Sequence, residues 1–304
     1  MFTIGADPEV FLATNNSPVS SIGLIGGTKY EPIHIQDGIF LQEDNVTVEY
    51  NIPPCKSADD FLKYNLQALH IISEKAKALN LEVSIKAAHK MPKEQLKDPR
   101  AWIFGCEPDF NVWTMEENPK PRANQWRAAG GHVHIGFDGN NMEKVELTKY
   151  LDSTLGAFFA LVDPDEQRKK MYGAAGSIRF KPYGIEYRTL SNYWLTHPVL
   201  IKVVYSVVEA AIKMLAYGRL PQPDVPNKIL VAINKRKTKD LINYLKPLGS
   251  VGTNQLFRTC VLSALASIEE DPATKKIDIN QKKFVYFLEN PKDEELSKLA
   301  RSLF

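Results

Sequence analysis

Ser177-Ile178-Arg179-Phe180-Lys181-Pro182-Tyr183-Gly184-Ile185-Glu186-Tyr187-Arg188 is the stretch that decides the fold class. Polar and apolar residues alternate on both sides of Pro182-Tyr183-Gly184, which predicts strands over 177–181 and 185–190 joined as a hairpin. A strand turns residues i and i+2 to the same face, so Phe180, Ile185 and Tyr187 face one way. Arg179, Lys181, Glu186 and Arg188 then face the other.

The same spacing recurs upstream in Asp7-Pro8-Glu9, in Thr47-Val48-Glu49-Tyr50-Asn51, in Glu107-Pro108-Asp109 and in His132-Val133-His134. If these strands share a sheet, one face carries Val48, Tyr50, Val133, Ile135, Phe180, Ile185 and Tyr187 and packs under helices. The other face gathers carboxylates, imidazoles and cations. Burying unpaired charges costs on the order of several kcal/mol each, so that face is not an ordinary core. An open, concave sheet that binds something charged resolves the conflict. Oxygen-rich ligand sets with an occasional histidine suit Mg²⁺ or Mn²⁺, and arginine and lysine beside them suit a transferring phosphoryl group.

Further alternation predicts strands over Phe2–Ala6, Ile33–Gln36, Ile39–Gln42, Val46–Ile52, Glu82–Ala87, Asp109–Trp113 and Gly131–Phe137, with Asp37-Gly38 as a two-residue hairpin turn. Helical spacing predicts Ala58–Leu79, opened by a Ser57/Asp60 capping pair, then Glu143–Val162 and Pro198–Tyr217, with shorter helices after Asn227. Strands followed by helices without a regular βαβ alternation predict an α+β fold with an antiparallel sheet. Leu220-Pro221-Gln222-Pro223-Asp224-Val225-Pro226 reads as a linker, dividing a catalytic part, 1–220, from a helical extension, 221–304.

Bulk properties narrow the classes. The 38 basic and 36 acidic residues leave a formal net charge of +2, so no global field points to nucleic acid or an anionic membrane. Cys55, Cys106 and Cys260 stand far apart, which argues against a disulfide framework or a thiolate zinc site and fits a reducing cytoplasm. The N-terminus lacks the pattern of a signal peptide, and the apolar stretch Pro198–Tyr217 is interrupted by Lys202, Glu209 and Lys213, which reads as a buried helix. A cytoplasmic protein without a membrane span is expected. His34, His70, His89 and His197 lack ligand-spaced partners and read as structural. The Lys235–Lys239 run reads as a solvated helix face, Cys106 as a buried thiol, and Gly23-Leu24-Ile25-Gly26-Gly27 as a turn, because it lacks the Lys-Ser/Thr of a phosphate loop.

In chain order, GADPEVFL, DNVTVEYNIPP, CEPDFNVW, GGHVHIGF and SIRFKPYGIEYRTLSNYW resemble the phage-type COOH–NH2 ligases of the glutamine synthetase and glutamate–cysteine ligase superfamily, and most closely the phiEco32-like type 2 amidoligases. The resemblance covers about residues 1–200. It implies a glutamine synthetase-like curved antiparallel sheet, with ATP and divalent ions (Mg²⁺ or Mn²⁺) as cofactors. It further implies ligation through an acyl phosphate, in the cytoplasm of a phage host. Carried over residue by residue, Glu9 and Glu49 look like metal ligands, with Asp7 beside them as ligand or support. Glu107, His132 or His134, and Glu186 complete the implied metal set. Arg188 resembles the phosphate-contacting arginine; Arg179 and Lys181 are implied contacts to phosphate or carboxylate; Arg168 and Tyr172 are implied to cover the phosphates. The implied partners are a small-molecule or peptide carboxylate and an amine; oligomerisation is open.

Three other readings compete, one of them a non-catalytic binding protein that keeps the sheet, against which the completeness of the acidic set argues. A zinc-dependent amide hydrolase could also place a His-x-His pair on a strand, although only His197 follows it here. A phosphotransferase could use the same fold and stop at the phosphorylated product.

Overall fold

The computed structural model describes residues 1–103, 109–119, 124–221, 225–251 and 254–270. Its strands are β1 (Phe2–Ala6), β2 (Glu9–Thr14), β3 (Ser17–Val19), β4 (Ile33–Gln36), β5 (Ile39–Asp44), β6 (Thr47–Asn51), β7 (Glu82–Ser84) and β8 (Ala88–Lys90). The later strands are β9 (Phe110–Asn111), β10 (Glu116–Glu117), β11 (Trp126–Ala128), β12 (Val133–Phe137), β13 (Ser177–Lys181) and β14 (Gly184–Tyr187). The helices are α1 (Ala58–Ala78), α2 (Asn141–Leu151), α3 (Ala157–Val162), α4 (Arg168–Met171), α5 (Pro198–Ala216), α6 (Asn227–Lys235), α7 (Thr238–Val251) and α8 (Gln255–Glu270).

The fold is α+β, and the strands pair antiparallel throughout. One sheet has the order β1-β12-β14-β13-β9-β10, and a second has β3-β2-β6-β5-β4, with β7 also on β2. The two sheets meet at Asp7-Pro8, between β1 and β2. Proline has no N–H to give a ladder and breaks the strand there. The chain on either side is nevertheless tied in: Asp7 N–H donates to His132 O, Glu9 N–H to Gly130 O, Tyr50 N–H to Pro8 O and Ile52 N–H to Ala6 O. Asp7 and Glu9 therefore sit on the seam.

The apolar face is as the alternation predicts at Val48, Tyr50, Val133, Ile135, Ile185 and Tyr187, all fully buried. Phe180 departs from it and is 40% exposed. It lies near the tip of the β13–β14 hairpin, where its ring meets Phe110 at 5.6 Å. Helices α1 and α5 pack together over this face, with Phe61 stacked on Trp194 and tilted against Tyr205. Tyr50 donates to Asn65 Oδ1 at 2.8 Å and so ties β6 to α1. The same core continues into the C-terminal helices through Ile229, Ile233, Leu241, Leu245, Phe257 and Val261.

Local chemistry accounts for the element ends. Asp37 and Gly38 take φ of 52° and 79°, the left-handed pair a two-residue hairpin needs. Ser57 caps α1 by accepting from Asp60 N–H at 3.0 Å. Asn140 and Glu143 form a full capping box on α2. The long helix predicted from Glu143 to Val162 is broken by a π turn at Asp152–Gly156. The strand predicted over Glu82–Ala87 ends at Ser84 as β7, paired with β2, and β8, beyond the predicted end, pairs with β11. Among the described residues no helix is long and apolar enough to cross a membrane.

Candidate active site

Register, more than any single motif, assembles the site. Across β1, β12, β14 and β13, Gly5 stands opposite His134, His134 opposite Glu186, and Glu186 opposite Arg179. On the other side of the seam, Glu9 stands opposite Glu49, and Glu49 opposite Gln42. Two rows of polar side chains thus run outward from Asp7.

Along each row lies a set of three groups, not all of them in the row itself, whose ligating atoms lie within 4.8 Å of one another. One is Asp7, His132 and Glu186; the other is Glu9, Asp44 and Glu49. In the first, His132 Nδ1 lies 3.5 Å from Asp7 Oδ1 and 3.6 Å from Glu186 Oε1. In the second, Glu9 Oε2 accepts from Gly130 N–H at 3.0 Å and Glu49 Oε1 accepts from Gln42 at 2.8 Å.

The electrostatics of the second set are those of like charges in a dry place. Burial and then the charge of Asp44 push Glu9 up to about 8. Burial, followed by the charge of Asp7, raises Glu49 well above the usual carboxylate range, and Asp44 is raised by burial as well. Burial also acts on Asp7, but His134 and His132 outweigh it and hold its carboxyl well below that range. His132 is brought down to about 3 by burial and by the nearby Arg188 charge, so its imidazole is neutral.

Divalent cations fit both sets. Asp7 Oδ1 is buried and accepts no hydrogen bond among the described residues, and five carboxylates with one neutral imidazole form a hard, oxygen-rich donor set. Cations there would remove the repulsion that now raises Glu9, Asp44 and Glu49.

Positive charge lines the opposite rim. Arg188 and Arg179 reach Glu186 Oε1, the latter at 3.4 Å, while Lys181 Nζ lies 3.0 Å from Oε2. Burial and the charge of Asp7 still raise Glu186. Glu186 and Arg188 are each about 1% exposed, yet Lys181 remains 28% exposed along its side chain. The rim can therefore meet an incoming anion.

The expected residues separate into groups. Asp7, Glu9, Glu49, His132, Glu186, Arg179, Lys181 and Arg188 converge. His134 stands beside the first set, with Nε2 2.9 Å from Asp7 Oδ2 and Nδ1 against the Tyr183 hydroxyl. Burial works against its charge, but Asp7 prevails and raises it. Arg168 lies behind the site and donates to Ala129 O, Thr189 O and Arg188 O at 3.0–3.2 Å. Tyr172 presents its ring to the Arg168 and Arg188 guanidinium groups, each about 5 Å from its centre. Glu107 and Cys106 lie outside the described residues.

Sequence reading missed Asp44 and Lys169. Asp44 falls two residues beyond the expected end of its strand, yet β5 continues and turns it toward Glu49; its i+2 spacing from Gln42 was the available signal. Lys169 gave no pattern. Its buried amine donates to Gly173 O and Thr189 O, and burial with the Arg168 charge brings it to about 7.

The model of the phage phiEco32-like COOH.NH2 ligase-type 2 family matches residues 123–276. No curated protein matches. Among solved structures, the chain is similar to the complex between Prokaryotic Ubiquitin-like Protein Pup and its Ligase PafA, with a TM-score of 0.48, 10% identity and coverage of 98% of this chain and 72% of that one. It is also similar to apo GmaS, with a TM-score of 0.46, 11% identity and coverage of 98% and 71%.

Proposed function

We propose that this chain, which belongs to the phage phiEco32-like COOH.NH2 ligase-type 2 family, uses ATP and Mg²⁺ or Mn²⁺ to join a carboxylate to an amine through an acyl phosphate. The observation that carries this reading is the pair of adjoining ligand sets at the Asp7-Pro8 seam, faced by Arg179, Lys181 and Arg188. Divalent cations, when bound, would shield the triphosphate and orient its terminal phosphoryl group.

The protein's own groups supply position and charge. Asp7, His132 and Glu186 would hold one cation, and Glu9, Asp44 and Glu49 another. Arg188 is fixed by Glu186 and stacked on Tyr172, so its guanidinium is oriented before any substrate arrives. Arg179 and Lys181 would meet the charge that builds on the phosphoryl oxygens and on the substrate carboxylate. The substrate carboxylate would attack the terminal phosphorus as ADP departs; the amine would then attack the acyl carbon, the C–N bond forming as the C–O bond breaks, and phosphate would leave with that bond's electrons and take up the proton that the nitrogen sheds. We place this chemistry within residues 1–220. The helices beyond support it, since Asn234 Oδ1 in α6 accepts from Ala175 N–H at 2.7 Å in the loop that follows Tyr172.

The test is release of ADP and phosphate from MgATP by the purified protein, with pooled carboxylates and amines and mass spectrometry of the products. Ligation gives a product lighter by one water than the sum of two substrates. A phosphorylated product that accumulates without an amine would replace this reading with the phosphotransferase one. Hydrolysis of an amide that depends on zinc and not on ATP would replace it with the hydrolase one.

A further inference from the structure

We infer that Tyr172 is a positioning residue for His132: its hydroxyl accepts a hydrogen bond from Nε2–H and so directs the Nδ1 lone pair at a cation shared with Asp7 and Glu186. The inference rests on the metal-binding reading of that site and extends it to a residue outside the ligand set.

The geometry leaves the His132 ring two functions at opposite nitrogens. Nε2 lies 3.0 Å from the Tyr172 hydroxyl, and Nδ1 lies 3.5 and 3.6 Å from carboxylate oxygens of Asp7 and Glu186. A neutral imidazole carries one proton, and a nitrogen that holds it cannot ligate a metal. An oxygen that accepts at Nε2 therefore frees Nδ1. Outer partners of this kind fix both the tautomer and the ring angle of a ligating histidine.

Tyr172 is itself held. Its ring meets two guanidinium groups, Arg168 with Cζ 5.1 Å from the ring centre and Arg188 with Cζ 5.0 Å away. Arg168 cannot swing aside, because its guanidinium is committed to three carbonyls. The next residue, Gly173, has φ of +70°, and a Cβ there would stand 2.2 Å from Arg168 Nη1. The chain thus leaves Tyr172 with a fixed ring plane and its oxygen against His132.

Two variants separate the hydroxyl from the ring. Tyr172→Phe removes only the oxygen, and Tyr172→Leu also removes the arginine-stacked ring. Mn²⁺ affinity of the full chain would be measured by electron paramagnetic resonance without ATP. The His132 tautomer would be read from ¹⁵N imidazole shifts in saturating Mg²⁺, assigned by loss of the signals in His132→Gln. The wild type is expected to hold the proton on Nε2. Both variants are expected to lose about tenfold or more in Mn²⁺ affinity, the usual effect of deleting such a partner. Tyr172→Phe should also mix the tautomers. Wild-type affinity and tautomer in Tyr172→Phe overturn the inference, as does a loss confined to Tyr172→Leu, which would assign the effect to the arginine stack. None of these readouts needs turnover, so a protein that binds Mn²⁺ as expected but ligates nothing sinks the ligase reading alone.

Discussion

Glu186 draws Arg179, Lys181, Arg188 and His132 to a single buried carboxylate, and its removal leaves those groups facing one another. Glu186→Gln is expected to abolish ligation by at least about 10²-fold, and Arg188→Ala by a similar factor, each with native circular dichroism. Near wild-type rates in either variant would take that residue out of the chemistry. Glu9 gives a second prediction at this scale. Its folded pKa of about 8 lies above the ordinary 4.5, so the native state holds a proton that the unfolded chain has lost. Its contribution is therefore full below about 4.5 and is lost as pH rises through 8. In EDTA, the Tm difference between wild type and Glu9→Gln is expected to move against the wild type across that window. Saturating Mg²⁺ should remove the slope, because a cation favours the ionised carboxylate. A difference that stays flat with pH in EDTA would show that Glu9 is not raised.

At the scale of elements, the seam depends on close crossings. Gly131 leaves no room for a side chain, since a Cβ there would stand 2.0 Å from Ser191 O and 2.5 Å from Trp194 Nε1, which donates to Gly131 O. Gly131→Ala is expected to cost about 1–3 kcal/mol in urea unfolding and to weaken Mn²⁺ binding through the displaced His132. Unchanged unfolding would mean that the crossing is looser than the backbone distances state. The hairpins and the polar faces of β13 and β14 were legible in the sequence, because turn residues and period-two spacing act locally. Asp44 was only half legible: its i+2 spacing from Gln42 gave the face, but its place depends on how far β5 runs beside β6, a matter of pairing between strands. The same holds for Phe180, whose alternation is correct but whose position falls beyond the helices. The distinct surroundings of His132 and His134 were equally hidden: i+2 spacing gave them one face, and tertiary contacts gave His132 two carboxylates and Tyr172, and His134 one carboxylate and Tyr183.

For the whole molecule, cation binding and folding should be coupled, because five carboxylates share one seam. Mg²⁺ is expected to stabilise the native state by RT ln(1 + [Mg²⁺]/Kd) and so to raise Tm with its concentration, and Asp44→Asn should reduce the size of that rise. A Tm indifferent to Mg²⁺ would mean that the native state gains nothing from the ion. The α+β class and the order of strands before helices could be read directly from the pattern. The continuity of the core into α6–α8 could not, because three prolines at 221–226 mark a break in the chain and say nothing about packing across it.

The π turn at Asp152–Gly156 has a bearing on length as well as on shape. Asp152 there accepts from Trp113, Tyr187 and Thr189 at 2.6–3.0 Å, three partners from two separate segments. Such a turn holds one residue more than an α-helix would in the same span. Excising one residue from 153–156 would let the helix close into a regular spiral and leave Phe158 and Phe159 close to where they now stand, because the wide turn already holds the surplus residue. The closed helix would lose the widening from which Asp152 meets its three partners but would keep the carboxylate, so this stretch should tolerate such a deletion better than the replacement of Asp152 by alanine.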